Sequence, residues 1–119
     1  MTNILIADDH DLVRDTIAAY LETVDDFNVF TAQDFTSALE VMSGLDSIDL
    51  LILDYNMPGM NGLQGLERAY TSYPACMIAL MSGVANRDVA NKAMALNARG
   101  FIPKSLSAVS FINAIKFIL

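Results

Sequence analysis

The sequence has little cysteine and little positive charge, and both shortages exclude classes of protein. The one Cys, at position 76 of 119, can form no disulfide within the chain and no cysteine-based metal cluster. A chain without a disulfide framework is typical of a reducing cytosol, so a cytoplasmic protein is predicted. With 7 Lys and Arg against 14 Asp and Glu, the net charge is −7. This charge argues against direct nucleic-acid binding, which needs a basic face.

Long apolar segments are also missing. No apolar run approaches the length of a membrane span, so no membrane partner is expected. Position 1 leads straight into a strand pattern, without a basic segment followed by a long apolar one, and no signal peptide is predicted. Hydrophobic residues still make up 54% of the chain, which is enough for a packed core, and 119 residues suit a single domain over 1–119.

What the sequence does have is an alternation of strand and helix patterns from end to end. Short apolar runs predict strands over 3–7, 28–32, 50–54, 77–82 and 100–103. Helical spacing predicts helices over 12–24, 35–42, 63–72, 88–96 and 107–119. Asp34 and Ser107 are predicted N-caps, and Asn97 is placed for a left-handed helix end. The alternation predicts an α/β fold, a doubly wound five-stranded parallel sheet with five helices and right-handed crossovers.

Carboxylates follow two of the predicted strands. Asp54 ends the apolar run 50–53, and Asp8 and Asp9 follow the first strand in the same way. Open α/β sheets place their chemistry at the carboxyl ends of the strands, so neighbouring strands would bring three carboxylates together. Like charges that close cannot all stay ionised without help. A hard divalent cation is the usual remedy, and Mg²⁺ suits a site with few carboxylates and several waters.

Two more predicted strands end in polar residues, Ser82 and Lys104. Together with the carboxylates they form a set suited to a phosphoryl group. Asp54 would be a carboxylate nucleophile, and Asp8 and Asp9 would hold the metal that offsets the charge of the phosphoryl oxygens. Ser82 offers a hydroxyl donor and Lys104 a point charge. Positioning and electrostatics of this kind are most of what phosphoryl transfer asks of a protein.

Four segments, in this order and spacing, resemble the receiver domain of response regulators of the CheY-like, flavodoxin-like type. The segments are 6–10, 51–62, 81–83 and 100–104, and the resemblance covers the whole chain. It implies that a sensor histidine kinase phosphorylates Asp54. It also implies Mg²⁺ binding by Asp9, Asp54 and the backbone carbonyl of Asn56, with Asp8 acting mostly through water.

The same resemblance implies a switch rather than an enzyme. Ser82 and Phe101 match the switch hydroxyl and the switch aromatic, and Lys104 matches the family's lysine. The surface of the fourth helix, last strand and fifth helix would change on phosphorylation, and catalysis would be limited to the domain's own phosphoryl transfer and dephosphorylation. Phe101 stands where many relatives have Tyr, and Ser105 where many have a cis proline, so the geometry after Lys104 is left open.

The segments at 8–10 and 101–105 look like those of NarL/LuxR-type regulators, whose receivers precede a helix-turn-helix domain. No such domain lies within 1–119, so a C-terminal effector domain is expected beyond this sequence, and DNA would be bound through it alone. The alternative is a stand-alone receiver or phosphorelay module that controls another protein by direct binding.

Other classes have weaker support. A phosphatase with an aspartyl-phosphate intermediate usually has a second Asp two residues after the nucleophile, where this chain has Asn56. A nucleotide hydrolase would need a Gly-x-x-x-x-Gly-Lys loop, which the sequence lacks. An unphosphorylated pseudo-receiver, acting only as an interaction module, would not need all the polar residues at the strand ends, which are Asp8, Asp9, Asp54, Ser82 and Lys104. His10 is interpreted as a surface residue at the entry to the first helix rather than as a general base.

The last helix is unusually apolar. From 108 to 119 the polar residues are Ser110, Asn113 and Lys116. A helix of this kind is seldom left facing water. Either the first helix covers the excess, or the helix forms a surface for a homodimer on phosphorylation. The predicted dimer residues are Val109, Ile112 and Ile115.

Overall fold

The structure is a computed structural model that describes residues 1–45, 47–83 and 86–119. Strands and helices alternate along it in the predicted order. The predicted first and last residues of each strand and helix lie within two residues of the observed ones. The strands are β1 (Thr2–Ala7), β2 (Phe27–Ala32), β3 (Leu50–Asp54), β4 (Met77–Ser82) and β5 (Gly100–Pro103). The helices are α1 (Asp11–Glu22), α2 (Phe35–Gly44), α3 (Leu63–Ser72), α4 (Arg87–Ala95) and α5 (Ala108–Ile118).

The strands form one parallel sheet in the order β2-β1-β3-β4-β5. The chain runs outward from β1 to β2 and then returns to the other side of β1, where it forms β3. A crevice opens at the carboxyl ends of the strands where the direction reverses, and ligands of such sheets bind there. The predicted doubly wound, five-stranded parallel sheet is confirmed.

Both faces of the sheet are covered, which is why the central strands are apolar at every position rather than at alternate ones. Leu5, Leu51 and Leu80 pack on one face with side chains of α2, α3 and α4. Ile4 and Ile52 pack on the other face with side chains of α1 and α5. Each fully buried Leu or Ile stabilises the fold by about 1.5–3 kcal/mol relative to exposure. The sheet is therefore a rigid base for the groups at its edge.

The predicted helix caps are confirmed. Asp34 Oδ1 accepts a hydrogen bond from the Ser37 N–H at 2.7 Å, and Ser107 Oγ accepts one from the Ser110 N–H at 3.2 Å. Asn97, just after α4, has a φ of 73°. A cap of this kind is worth about 1 kcal/mol, so these residues fix where α2 and α5 begin.

The last helix packs with one face inward, and this corrects part of the dimer prediction. Ile115 is fully buried with Phe111 in the core between the sheet, α1 and α5, so it cannot belong to a surface. Its position one turn after Phe111 places it on the inner stripe of the helix. Val109 is 68% exposed and Ile112 is partly buried.

In the described part of the chain, no helix combines the length and apolar character that crossing a membrane requires.

Candidate functional site

Two buried carboxylates lie side by side at the carboxyl edge of the sheet. Ala7 of β1 pairs with Leu53 of β3, so the residues that follow them, Asp8 and Asp54, are neighbours. Asp8 is 0% exposed and Asp54 is 1% exposed. The predicted convergence of these strand ends is present in the structure. Ionised carboxylates at this depth need compensating groups, because burial disfavours a charge.

Lys104 supplies the main compensation. It follows β5, and its backbone N–H donates to the carbonyl of Ser82 at 2.9 Å, which fixes its position against β4. Its Nζ lies 2.9 Å from Asp54 Oδ2 and 3.0 Å from Asp8 Oδ2. The side chain is 13% exposed. One ammonium therefore bridges two carboxylates, which leaves one negative charge in excess.

The two carboxyls differ in proton affinity. Burial raises the pKa of Asp54, and the charge of Asp8 adds to the rise against the opposing contact with Lys104. Burial also opposes ionisation of Asp8, but the His10 N–H and the Lys104 ammonium outweigh it, so the pKa of Asp8 is lowered. Burial alone would lower the pKa of Lys104, but its contacts with both carboxylates raise it. A proton taken up by the pair therefore resides on Asp54.

We expect the variant Asp54→Asn to melt a few degrees above the parent near neutral pH without metal. A raised pKa means that this carboxyl stabilises the fold fully below its usual value of 3.8, and that the contribution is lost as pH rises through the raised value. Asn is neutral at every pH and avoids that loss. Calorimetry over falling pH should show the gap closing toward and below 3.8. A parent that melts higher than the variant at neutral pH would contradict this.

Asp9 and His10 form the outer rim of the site. The His10 N–H donates to Asp8 Oδ1 at 2.9 Å in a tight turn before α1. His10 Nδ1 lies 3.2 Å from Asp8 Oδ1, 3.3 Å from Asp9 Oδ1 and 4.0 Å from Asp54 Oδ2. The ring is 63% exposed, as a surface residue at the helix entry should be, but sequence reasoning missed its contact with the carboxylates. The signal was its position next to Asp9 at a strand end.

The remaining predicted residues surround the carboxylates at different distances. Ser82 is buried at the end of β4, one residue beyond Met81, which pairs with Asp54. The Asn56 N–H donates to Asp54 Oδ1 at 3.2 Å. Phe101 is the second residue of β5 and is partly buried. Together with Ser82 it lines a groove of about 520 Å³ beside α4. A second cavity, of about 390 Å³, is lined by Asp54, His10 and Lys104.

The described residues fit a divalent cation. One ligand atom from each of Asp8, Asp9, His10 and Asp54 can be chosen so that all four lie within 4.8 Å of one another. Adjacent ligands at about 2.1 Å from an octahedral ion lie about 3 Å apart and opposite ones about 4.2 Å. Asp8 Oδ2 and Asp54 Oδ2 each lie against the Lys104 ammonium, and each carboxylate oxygen has a second lone pair that this contact leaves available. Oxygen ligands with spare capacity suit a hard cation.

This doubly wound parallel sheet, with an acidic pocket and a lysine at its carboxyl edge, is of the CheY-like class of α/β domains. The chain belongs to the response regulator receiver domain family, whose model matches residues 4–116. The resemblance stated from the sequence is therefore confirmed.

Known relatives agree with this assignment. The chain is 38% identical to the glycerol metabolism activator of Pseudomonas putida, over 100% of the chain and 54% of that protein. It is 32% identical to the transcriptional regulatory protein MalR of Bacillus subtilis, over 97% of the chain and 49% of that protein. The chain thus spans about half the length of these relatives.

Solved structures extend the comparison. A LuxR family DNA-binding response regulator from Silicibacter pomeroyi has a TM-score of 0.86 and 31% identity, over 99% of this chain and 91% of that one. The receiver domain of NarL from Mycobacterium tuberculosis has a TM-score of 0.87 and 26% identity, over 98% of this chain and 94% of that one. The predicted similarity to the NarL/LuxR type is confirmed at the level of fold and sequence.

Proposed function

We propose that the chain is a phosphorylation-driven switch in which Asp54 accepts a phosphoryl group from a sensor histidine kinase. The observation that carries this proposal is the buried Asp54 carboxylate, contacted by Lys104 and open to a cavity at the sheet edge. Membership of the receiver family supports the kinase as donor. The cytoplasm, where a soluble kinase domain can reach the site, is the proposed compartment.

The chemistry follows from the position of each group. An Asp54 carboxylate oxygen attacks the phosphorus of the donor, and the bond from phosphorus to the leaving atom breaks with its electron pair on that atom, which takes up a proton. Lys104 already touches Asp54 and would pair with a phosphoryl oxygen. Ser82 would donate its hydroxyl to another oxygen. Phe101, beside the groove that Ser82 lines, would follow the movement of Ser82.

The proposed cofactor is Mg²⁺, held by Asp9, Asp54 and the Asn56 carbonyl, with Asp8 acting mostly through water. The excess negative charge of the pocket and the convergence of its ligand atoms support this assignment. When bound, the ion neutralises charge on the transferring phosphoryl oxygens. The residues themselves hold the acceptor carboxylate in place and keep the ammonium beside it.

Mg²⁺ should stabilise the folded chain. A ligand that binds the native state alone adds about 1.4 kcal/mol when it is about tenfold above its Kd, so the melting temperature should rise near neutral pH. Asp9→Ala should remove most of that rise, whereas Asp25→Ala, a change at an exposed aspartate just before the amino end of β2, on the opposite edge of the sheet, should leave it intact. Scanning fluorimetry over a MgCl₂ series measures both. An equal rise in Asp9→Ala and the parent would refute the assignment of Asp9.

The switch itself is tested by intact-mass spectrometry. The purified chain is incubated with acetyl phosphate and Mg²⁺, and its mass should increase by one phosphoryl group that hydroxylamine removes. An unchanged mass with every small phosphodonor tried, in a folded sample that binds Mg²⁺, would refute the proposed acceptor function.

We propose that the output is transcriptional, through a DNA-binding domain that follows residue 119 in the whole protein. The chain matches about half of relatives that include transcriptional regulatory proteins, and its own charge of −7 is unsuited to DNA. The full coding length tests this, since a reading frame that stops at Leu119 would leave the alternative, a stand-alone receiver or phosphorelay module.

Dimerisation on phosphorylation is the proposed link to that output. Val109 is 68% exposed near the start of α5 and Ile112 lies partly buried one turn on, so these two remain as the contact residues. Sedimentation velocity with and without a phosphoryl mimic is the measurement, and Val109→Lys should keep the mimic-bound chain monomeric. A monomer in both states for the unmutated chain would refute dimerisation.

A further inference from the structure

His10 stands where a receiver's metal would meet solvent. Its Nδ1 faces Asp8, Asp9 and Asp54 at 3.2, 3.3 and 4.0 Å. The ring makes no cap hydrogen bond to α1, although His10 occupies the N-cap position. The backbone N–H of His10 holds the turn with Asp8 Oδ1, and the ring Nδ1 also lies within hydrogen-bond distance of that oxygen, so the nitrogen already faces the carboxylates.

The rim therefore offers a nitrogen as well as oxygens. Imidazole is a good ligand for first-row transition cations, and Mg²⁺ prefers carboxylates, carbonyls and water. A site made of carboxylates alone discriminates weakly between Mg²⁺ and transition cations, through the general rise in affinity along the first transition row. A site that adds one imidazole discriminates more strongly, because the imidazole raises the affinity for the transition cation and not for Mg²⁺.

We propose that His10 Nδ1 is a ligand of the site formed with Asp9 and Asp54, so that the chain binds transition cations such as Co²⁺ in preference to Mg²⁺. The ion would be held by mixed nitrogen and oxygen ligands. This inference rests on the proposed carboxylate metal site, but not on phosphorylation of Asp54. Its consequence is that the metal occupying the receiver depends on the transition-metal supply as well as on Mg²⁺.

The test compares two metals on the full chain and on His10→Phe, which keeps a planar ring and removes the nitrogens. Calorimetric titrations with Co²⁺ and with Mg²⁺ are run at one fixed pH. Loss of an imidazole ligand should weaken Co²⁺ binding by roughly tenfold or more, the scale on which even supporting groups alter metal affinity. Mg²⁺ affinity should change far less. Asp9→Ala is the matched variant that should weaken both metals.

A measurement on the unmutated chain removes any dependence on how the variant folds. His10 is the only His in the sequence, so proton NMR signals of a cobalt-bound imidazole can be assigned without ambiguity. Co²⁺ should produce imidazole resonances shifted far outside the diamagnetic range. Mg²⁺ should leave the ring resonances close to their metal-free positions.

The outcomes separate this inference from the proposed function. Equal effects of His10→Phe on both metals, tighter binding of either metal, or an imidazole unaffected by saturating Co²⁺ would overturn the role of His10 while leaving the Mg²⁺ site standing. Failure of the unmutated chain to bind either metal would overturn both. A selective loss of Co²⁺ affinity together with the shifted imidazole signals would establish the nitrogen ligand.

Discussion

Asp54→Asn should abolish phosphorylation by acetyl phosphate in the presence of Mg²⁺. The amide has the same shape as the carboxylate and can still contact Lys104, but it lacks the anionic oxygen that attacks phosphorus. The loss should be complete within detection, because Asp8 is the one other carboxylate among the described residues that is buried at this edge in contact with the ammonium, and Asp54 is the one that lines the cavity. Intact-mass spectrometry of variant and parent, side by side, makes the measurement.

The control is Asp25→Asn, an equivalent change at an exposed aspartate, which should be phosphorylated like the parent. Melting curves should show both variants folded. If Asp54→Asn gains a phosphoryl group as readily as the parent, Asp54 is not the acceptor. Peptide mapping of the labelled variant would then identify the residue that is.

Lys104→Met should cost about 2–3 kcal/mol of unfolding free energy near neutral pH without metal. Removing one partner of a buried ion pair usually costs about 3–5 kcal/mol, and the 13% exposure of Lys104 and proton uptake by Asp54 reduce that figure. The variant leaves Asp8 and Asp54 facing each other without a cation. Chemical denaturation in urea measures the loss, and saturating Mg²⁺ should restore part of it.

Lys92→Met is the matched control. Lys92 also pairs with an aspartate, Asp88, at 3.1 Å, but both side chains are mostly exposed on α4. An exposed helix pair of this type contributes about 0.3–0.5 kcal/mol, so its loss should be small. Similar losses for Lys92→Met and Lys104→Met would show that the buried bridge does not stabilise the fold as argued.

Much of the fold was predictable because the sequence repeats one local signal. Each strand is a short apolar run, and the central run 50–53 is fully buried because helices cover both sheet faces. Asp34 and Ser107 cap helices by bonds that span three residues, so local chemistry was enough to find them. The predicted strand-end positions of Asp8, Asp54, Ser82 and Lys104 also follow from topology, since parallel strands end at one edge.

What the sequence could not supply is side-chain direction and pairing. Ile115 and Ile112 are the same residue type, but the orientation of α5 about its own axis buries Ile115 fully and Ile112 only in part. The ammonium of Lys104 bridges both carboxylates although β5 lies two places from β3 and three from β1 in the sheet, and strand order alone does not predict that reach. The ring of His10 reaches the carboxylates through the turn after β1, and spacing alone does not give that contact.

The position of Lys104 has a consequence for synthesis of the protein. Asp8 and Asp9 are made first, and Lys104 comes from the final strand, which pairs with β4 alone at the sheet's outer side. A ribosome-bound chain that lacks β5 has Asp54 without the ammonium of Lys104 beside it. If Asp54 is the acceptor, as we propose, competence for phosphorylation would arise only when the last strand docks, and a copy truncated before β5 would not be phosphorylated.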